Sequence, residues 1–289
     1  MSTYRYLQLD VFAQTRGAGN ALGVILDASD LHGQDMQDIA AWLNLPETVF
    51  LVPPPEGADL HIRIFTPRCE LPFAGHPSVG AAWAAVHTGL ARPRQGALLL
   101  GCAAGLLAVE IDGEGHGRRV SVRAPQATAQ PSHGHQALLS AALEGVDTVG
   151  EAPTLWNNGP GWWLAELPDA DAVAMLAPRF AEIAALSRAS GAIGLAVFAL
   201  TEMDGVVVRA FCPADAPATP EDPVTGSANA CIAAWLHAQG RLPGADGGYV
   251  ARQGMQVGRE GRVHVRVDPD GAVWIGGQVR QVIDGTLDW

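Results

Sequence analysis

Two helix starts carry side chains that could bind an anion or move a proton, and the first lies in "LPFAGHPSVGAAWAAVHTG", residues 71–89. His76 and Pro77 precede an alanine-rich run that predicts a helix, and proline suits the first helical position. The next backbone amides point out of the helix end, where the helix dipole favours an anion. His76 can donate or accept a proton near neutral pH. An anion pocket and an ordinary helix start, with an exposed or capping histidine, both fit the local sequence.

The second helix start is "PEDPVTGSANACIAAWLHAQG", residues 220–240. Asp222 could cap this helix or pair with the His76 imidazole, and capping is the simpler interpretation. Ser227 could donate to a substrate or act as a cap. It does not form a nucleophile elbow, because the chain contains no G-x-S-x-G sequence.

A carboxylate and an amide precede these helices. Glu47 in "NLPETVF" follows a predicted helix and precedes an apolar strand, so it is either a desolvated acid or a solvated loop residue. The local sequence favours the solvated loop. Asn20 in "GAGNALG" could hold a polar substrate group or simply form a turn. This segment is not a dinucleotide fingerprint, because a strand rather than a helix follows it.

The composition limits cofactors, partners and location. The four cysteines form no C-x-x-C pair and no zinc spacing, and the only close histidine pair is "HGH" at 133–135. No metal is expected. With 30 acidic against 18 basic residues, a net charge of -12 argues against nucleic acid and anionic membranes. No signal region or membrane-length apolar run is present, so a reduced, cytoplasmic protein is expected.

Periodicity predicts alternating strands and helices in both halves of the chain. "YRYLQLDVF" and "DLHIRIF" alternate as strands do, whereas "HGQDMQDIAAWLN" has helical spacing. Residues 124–136, rich in Pro, Gln and Ala, predict a linker. A length of 289 residues favours two domains.

The two halves are predicted to be duplicates. Gly75 to Gly89 and Gly226 to Gly240 each span 14 positions and enclose a small, apolar helix. A helix that is apolar on most faces must be enclosed, and its neighbours are predicted strands. Each half is therefore expected to be a curved antiparallel sheet wrapped round one helix. If both helices begin at one interface, their amides would hold a substrate carboxylate across a cleft.

Four segments, in order, resemble the signature segments of the phenazine-biosynthesis PhzF-like isomerase family. They are "DVFAQTRGAGNALGVIL", "NLPETVF", "IRIFTPRCELPFAGHPSVGAAW" and "PEDPVTGSANACIAAWL". The resemblance implies the diaminopimelate epimerase-like α+β fold, with two similar barrel-like domains and the active site between them. It implies domains at 1–125, joined by a C-terminal strand at 279–289, and at 126–278. It also implies a homodimer.

The same resemblance assigns roles by position. Catalytic roles fall on Glu47, His76 and Asp222, whose segments match the family motifs. Substrate-binding roles fall on Asn20, Gly75, Gly226 and Ser227. No cofactor and no metal is implied, and the expected partner is a small carboxylate substrate.

The resemblance also separates three hypotheses about activity. Related epimerases and racemases use two thiols, but Ala74 and Thr225 occupy the aligned positions, and neither Cys69 nor Cys231 is placed to substitute. This favours an isomerase in which Glu47 alone moves a proton within a trans-2,3-dihydro-3-hydroxyanthranilate-like acid. The alternatives are an amino-acid racemase or epimerase, and a non-catalytic carboxylate-binding or scaffold protein.

Two further features have no assigned role. Asn229 lies on the first turn of the second helix, where a changed polar group could alter substrate choice. Trp156, Trp162 and Trp163 form an aromatic group for which core packing or a dimer contact is a better prediction than the pocket.

Overall fold

The computed structural model describes residues 2–203, 205–214, 220–244 and 246–289. In chain order, the first elements are β1 (Thr3–Val11), β2 (Asn20–Ile25), α1 (Gly33–Leu43), β3 (Glu47–Val52), β4 (Leu60–Phe65), β5 (Glu70–Leu71), α2 (Gly75–His87), β6 (Ala97–Cys102), β7 (Gly105–Asp112) and β8 (Arg119–Arg123). The remaining elements are β9 (Thr128–Gln130), α3 (Gln136–Ala142), β10 (Thr154–Asn157), β11 (Gly161–Glu166), α4 (Ala170–Met175), α5 (Phe180–Ser190), β12 (Gly194–Leu200), β13 (Val206–Phe211), β14 (Glu221–Asp222), α6 (Gly226–Ala238), β15 (Gly248–Gln253), β16 (Gly261–Val267) and β17 (Val273–Asp288).

These elements form two compact units. The first unit contains Met1–Arg123 and Ile275–Trp289, and the second contains Ala124–Trp274. Within the described residues, no helix has both the length and the apolar character needed to cross a membrane.

In the first unit, eight strands close into a ring round α2. The neighbours follow the order β1, β2, β3, β4, β6, β7, β8 and β17, and β17 returns to pair with β1. The helix packs against β1 to β4 and β8, and residues 75–85 are all buried. The expected barrel-like sheet round a helix is confirmed. The sheet is mixed rather than antiparallel, because helical crossovers make β2–β3 and β4–β6 parallel.

The second unit repeats this arrangement. Its pairs β10–β11, β12–β13 and β15–β16 are antiparallel, whereas β11–β12 and β13–β15 are parallel. This is the alternation found from β1 to β7, and α6 packs against the sheet as α2 does. Both helices contain 13 residues. The prediction of two similar α+β domains is confirmed.

An arginine–glutamate pair recurs at matching positions in the two units. Arg63 donates two parallel hydrogen bonds to Glu70, at 2.7 Å each, and its guanidinium lies over Phe65. Arg209 donates in the same way to Glu221, at 2.9 and 2.8 Å, and lies over Phe211. The duplication therefore extends to individual side chains.

Two local predictions about these elements are wrong. Residues 124–136 are not simply a linker, because they contain β9, which pairs with β10. Pro77 is the third residue of α2 rather than the first, since the helix begins at Gly75. Its missing N–H still falls in the first turn, where the amides lack partners inside the helix.

Candidate functional site

Glu47 is the first residue of β3, directly beside Leu22 of β2. Its side chain is only 17% exposed. The solvated loop glutamate favoured by the local sequence is therefore wrong. A strand start places the backbone in the sheet while leaving the side chain at the sheet's end, where it reaches the beginning of α2.

His76, the second residue of α2, is buried with a side-chain exposure of 5%. Its Nε2 lies 3.2 Å from Oε2 of Glu47. Burial lowers the pKa of this imidazole to about 3, although a hydrogen bond to the backbone of Ala21 acts in the opposite direction. The ring is therefore neutral at physiological pH, and the exposed or capping histidine considered from the sequence is wrong.

The neutral ring has a defined role available to it. Because the backbone oxygen of Ala21 accepts a hydrogen bond from the ring, the ring nitrogen facing Glu47 carries a lone pair. Nε2 can accept a hydrogen bond from the Glu47 carboxyl group whenever that group carries a proton. The pair is suited to holding a proton on Glu47 after transfer from a substrate.

Asn20 and Gly75 lie in the same unit. Asn20 is the buried first residue of β2 and immediately precedes Ala21, whose backbone contacts His76. Gly75 begins α2, and the N-cap residue Ala74 provides no side-chain cap. The turn before Asn20 is supported by buried Asp10, which accepts a hydrogen bond from the Gly17 amide at 2.7 Å.

In the second unit, Asp222 and Thr225 meet before α6. Thr225 is the N-cap residue, and its Oγ1 donates to Oδ2 of Asp222 at 2.6 Å. The N-cap position of α6 is therefore occupied by Thr225 rather than by Asp222. Its carboxylate is instead oriented by the threonine hydroxyl.

Ser227 is the second residue of α6, as His76 is of α2, and Gly226 is the first. Its Oγ accepts a hydrogen bond from Nε1 of Trp162 at 3.0 Å, and its carbonyl accepts one from Asn158 at 3.1 Å. Ser227 is therefore not a cap. Because the indole uses an acceptor site of the hydroxyl, the hydroxyl proton is directed elsewhere and can be donated.

The three tryptophans of the predicted aromatic group make different contacts. Trp162 supports Ser227, whereas Trp163 donates to Ser190 at 2.9 Å and is fully buried. Trp156 is buried beside them in β10. Core packing is confirmed for all three, and Trp162 has a second role at the start of α6.

Sequence reasoning missed Gln253, the last residue of β15. It is fully buried and hydrogen-bonded to Asp222, Thr225 and Asn229. A signal was present in the sequence: in "GYVARQ" the inward positions are Tyr249, Ala251 and Gln253, so a polar side chain occupies an apolar alternation. Asn229 is likewise fully buried.

The duplicated positions differ in chemistry. The register that pairs Glu47 with Leu22 in the first unit pairs Gly194 with Trp162 in the second. The paired carboxyl and imidazole groups of the first unit therefore correspond to Gly194 and Ser227 of the second. The first unit carries groups suited to proton transfer, and the second carries fixed hydrogen-bonding groups.

Neither Cys69 nor Cys231 occupies a helix start, since Cys69 precedes β5 and Cys231 lies inside α6. Cys69 is exposed, and burial inside α6 raises the pKa of the Cys231 thiol. Ala74 and Thr225 are the N-cap residues of α2 and α6. Among the described residues, no three His, Cys, Asp or Glu side chains are grouped to hold a metal ion.

Comparison with known proteins identifies the family. A family model described as phenazine biosynthesis-like protein, PhzC-PhzF, matches residues 9–285. The chain belongs to this family. Antisense-enhancing sequence 1 of Schizosaccharomyces pombe is 32% identical to this PhzC-PhzF protein, over 99% of each chain. An uncharacterized isomerase of Deinococcus radiodurans is 34% identical, over 94% of this chain and 91% of the other.

A third relative is named by its reaction. The trans-2,3-dihydro-3-hydroxyanthranilate isomerase of Pseudomonas fluorescens is 36% identical over 61% of each chain. The resemblance to PhzF-like isomerases is confirmed at the level of the family.

Solved structures agree on the fold. A PhzF-family phenazine biosynthesis protein of Bacillus anthracis matches over the full length of both chains, with a TM-score of 0.84 at 24% identity. A hydroxyproline epimerase of Agrobacterium vitis matches over 99% of this chain and 92% of its own, with a TM-score of 0.64 at 15% identity. Both similarities concern the fold, and they confirm its epimerase-like class.

Proposed function

We propose that this PhzC-PhzF protein is a cofactor-independent isomerase that moves a proton within a small unsaturated or cyclic carboxylic acid. The observation that carries the proposal is the contact of 3.2 Å between Glu47 and a buried, neutral His76. Such a pair provides one group to take and return a proton and a neighbour that can hold the protonated form.

The proposed reaction is a balanced shift of one proton. The Glu47 carboxylate takes a proton from one carbon, and the electron pair of the broken C–H bond enters the conjugated system of the substrate. Nε2 of His76 accepts a hydrogen bond from the new Glu47 hydroxyl. Glu47 then gives the proton to a second carbon, and the double bond moves. Nothing is oxidised or reduced, and the catalyst is regenerated.

The second unit supplies the proposed binding groups. The Ser227 hydroxyl and the first amides of α6 suit a carboxylate, and Asp222 suits a hydroxyl or amino group of the substrate. The Pseudomonas fluorescens relative is named for trans-2,3-dihydro-3-hydroxyanthranilate, which carries all three kinds of group. We propose a substrate of this class, with Asn20, Gly75 and Gly226 as further contacts.

The epimerase alternative rests on the fold similarity to the Agrobacterium vitis protein. Inversion of a stereocentre needs two bases on opposite faces of the carbon. The N-cap positions of α2 and α6 hold Ala74 and Thr225, neither of which can remove such a proton. One carboxyl group beside one imidazole favours transfer between two carbons.

The experiment is to incubate the protein with trans-2,3-dihydro-3-hydroxyanthranilate in D₂O and follow the double bond by proton NMR. Glu47→Gln is the test variant, and Glu56→Gln, at an exposed loop position, is the matched control. Migration of the double bond in wild type and control, but not in Glu47→Gln, supports the isomerase. Equal binding by all three proteins without migration supports the carboxylate-binding alternative.

Two further expectations accompany the proposal. Dialysis against a chelator is expected to leave the reaction rate unchanged, because the proposed chemistry uses only side chains. The homodimer implied by the family resemblance is tested by sedimentation equilibrium.

A further inference from the structure

Gln253 uses its whole side-chain amide within one network before α6. The group is fully buried. Its Oε1 accepts hydrogen bonds from the Thr225 amide and from Nδ2 of Asn229, both at 3.0 Å. Its Nε2 donates to the Asp222 carbonyl at 3.0 Å and to Oγ1 of Thr225 at 2.9 Å. Two acceptor sites and two donor hydrogens are all satisfied.

The orientation of this amide is fixed by its neighbours. A backbone N–H can only donate, and a backbone carbonyl can only accept. Exchanging Oε1 and Nε2 would therefore break the bonds to the Thr225 amide and the Asp222 carbonyl at once. The Gln253 side-chain amide can therefore adopt only one of its two orientations here.

The fixed orientation of the Gln253 amide determines where the Thr225 hydroxyl proton points. Because Nε2 of Gln253 donates to Oγ1, the single hydroxyl proton is left for Oδ2 of Asp222, at 2.6 Å. Asn229 closes the network by donating to the Thr225 carbonyl at 2.9 Å. The Asp222 carboxylate is thus held through Thr225 by a residue that lies on another strand.

The first unit builds the same fold without this network. The register that pairs Gln253 with Gly261 pairs Cys102 with Gly105, so Cys102 occupies the corresponding position. Leu71 corresponds to Asp222, since each lies opposite the next-to-last residue of the preceding long strand. The glutamine occurs in the unit that has the carboxylate. The barrel round a helix does not itself require it.

We propose that Gln253 is a positioning residue for Asp222, acting through the Thr225 hydroxyl. The proposal rests on the proposed function for the contact between Asp222 and substrate. Gln253 is not expected to touch the substrate itself. Its expected effect on turnover passes through the hydrogen bonds that it makes to Thr225 and to the Asp222 backbone carbonyl.

The test combines four variants with two readouts. Gln253→Met keeps the length of the side chain but removes its hydrogen bonds, and Gln256→Met makes the same change at an exposed position of the neighbouring 3₁₀ turn. Thr225→Val removes the hydroxyl, whereas Thr225→Ser keeps it. The readouts are kcat and KM with trans-2,3-dihydro-3-hydroxyanthranilate, and the carboxyl ¹³C resonance of Asp222 in the free protein.

The expected losses of activity reflect the hydrogen bond from Thr225 to the charged Asp222 carboxylate. Gln253→Met and Thr225→Val are each expected to lower kcat/KM by about tenfold to a hundredfold, while Thr225→Ser and Gln256→Met stay within about threefold of wild type. In an Asp222→Ala background, Gln253→Met is expected to cause no further loss. A purely structural role would instead add its loss to that of Asp222→Ala, and that result would overturn the proposal.

The NMR readout separates this proposal from the proposed function. The Asp222 carboxyl resonance is expected to move in Gln253→Met and Thr225→Val but not in Gln256→Met. An unmoved resonance in folded Gln253→Met overturns the positioning role. If wild type fails to turn over the substrate, the proposed function fails, and the resonance still decides whether Gln253 orients Asp222.

Discussion

Nε2 of His76 and Oε2 of Glu47 lie 3.2 Å apart at the point where α2 and β3 both begin. The contact joins the second residue of a buried helix to the first residue of a strand. Because the barrel fixes both the helix and the strand, the two side chains are held in contact without further rearrangement. Proton transfer benefits from such fixed geometry.

The buried, neutral state of His76 predicts a pH-dependent stability. Its folded pKa of about 3 lies below the usual value of 6.5, so the unfolded chain binds more protons between these values. Stability is fully present above about pH 6.5 and falls as the pH drops towards 3, by up to about 1.4 kcal/mol per pH unit. Urea unfolding of wild type and His76→Asn between about pH 5 and 6.5 measures the difference.

His76→Asn cannot titrate, so its unfolding free energy is expected to change less steeply over that range. Equal slopes for the two proteins would mean that His76 is charged in the folded state. The same variant is expected to lower kcat, because Glu47 loses the group that accepts its hydrogen bond.

The repeated arginine–glutamate pair provides its own matched control. Side-chain exposure is 5% and 8% for Arg209 and Glu221, but 31% and 37% for Arg63 and Glu70. Glu221→Gln leaves a buried guanidinium without its counter-charge and is expected to cost about 3–5 kcal/mol of unfolding free energy. Glu70→Gln is expected to cost at most about 1 kcal/mol. Similar losses in urea unfolding would contradict this assignment of burial.

The indole of Trp162 is predicted to affect substrate binding through Ser227. Trp162→Phe removes the donor to Oγ but keeps most of the ring, so the hydroxyl gains freedom to rotate. We expect KM to rise a few-fold with little change in kcat, and Ser227→Ala to raise KM further. Steady-state kinetics measures both. Trp163→Phe, which loses a bond to Ser190 instead, is the control and is expected to leave KM unchanged.

Gly80 is predicted to be required for packing of α2 within its barrel. A Cβ atom there would meet Cδ2 of Leu22 too closely and Cγ2 of Val11 at 2.9 Å. Overpacking costs about 1–3 kcal/mol, which outweighs the gain of about 1 kcal/mol in helix propensity. Gly80→Ala is expected to lower stability in urea unfolding. Adding Leu22→Val is expected to recover part of the loss, and strictly additive effects would argue against the clash.

Local pattern predicted the elements of this protein well. The alternation in "DLHIRIF" places Leu60, Ile62 and Ile64 inward, and all three are buried in β4. The glycine expected after each central helix has a positive φ, +79° at Gly89 and +65° at Gly240. These features depend on neighbours within a few residues, so the sequence contains them directly.

For the candidate site, the sequence indicated the residues but not their surroundings. Glu47, His76, Asp222 and Ser227 were indicated by motif resemblance, which reflects short segments of sequence. Their local interpretations were often wrong, because burial depends on what packs against a residue. The local sequence favoured a solvated Glu47 and an exposed or capping His76. The packing of β3 and α2 within one barrel instead leaves both side chains with little exposure.

The sequence by itself determined which segments are strands and helices, that two halves repeat, and which family the motifs resemble. Only the tertiary structure decided the register in which β17 pairs with β1, that β9 belongs to a sheet, and that Gln253 reaches Asp222 through Thr225. The physical reason is the separation along the chain between the residues that interact. Propensity and periodicity act between residues close in the chain, whereas ring closure and buried hydrogen-bond networks join residues that only folding brings together.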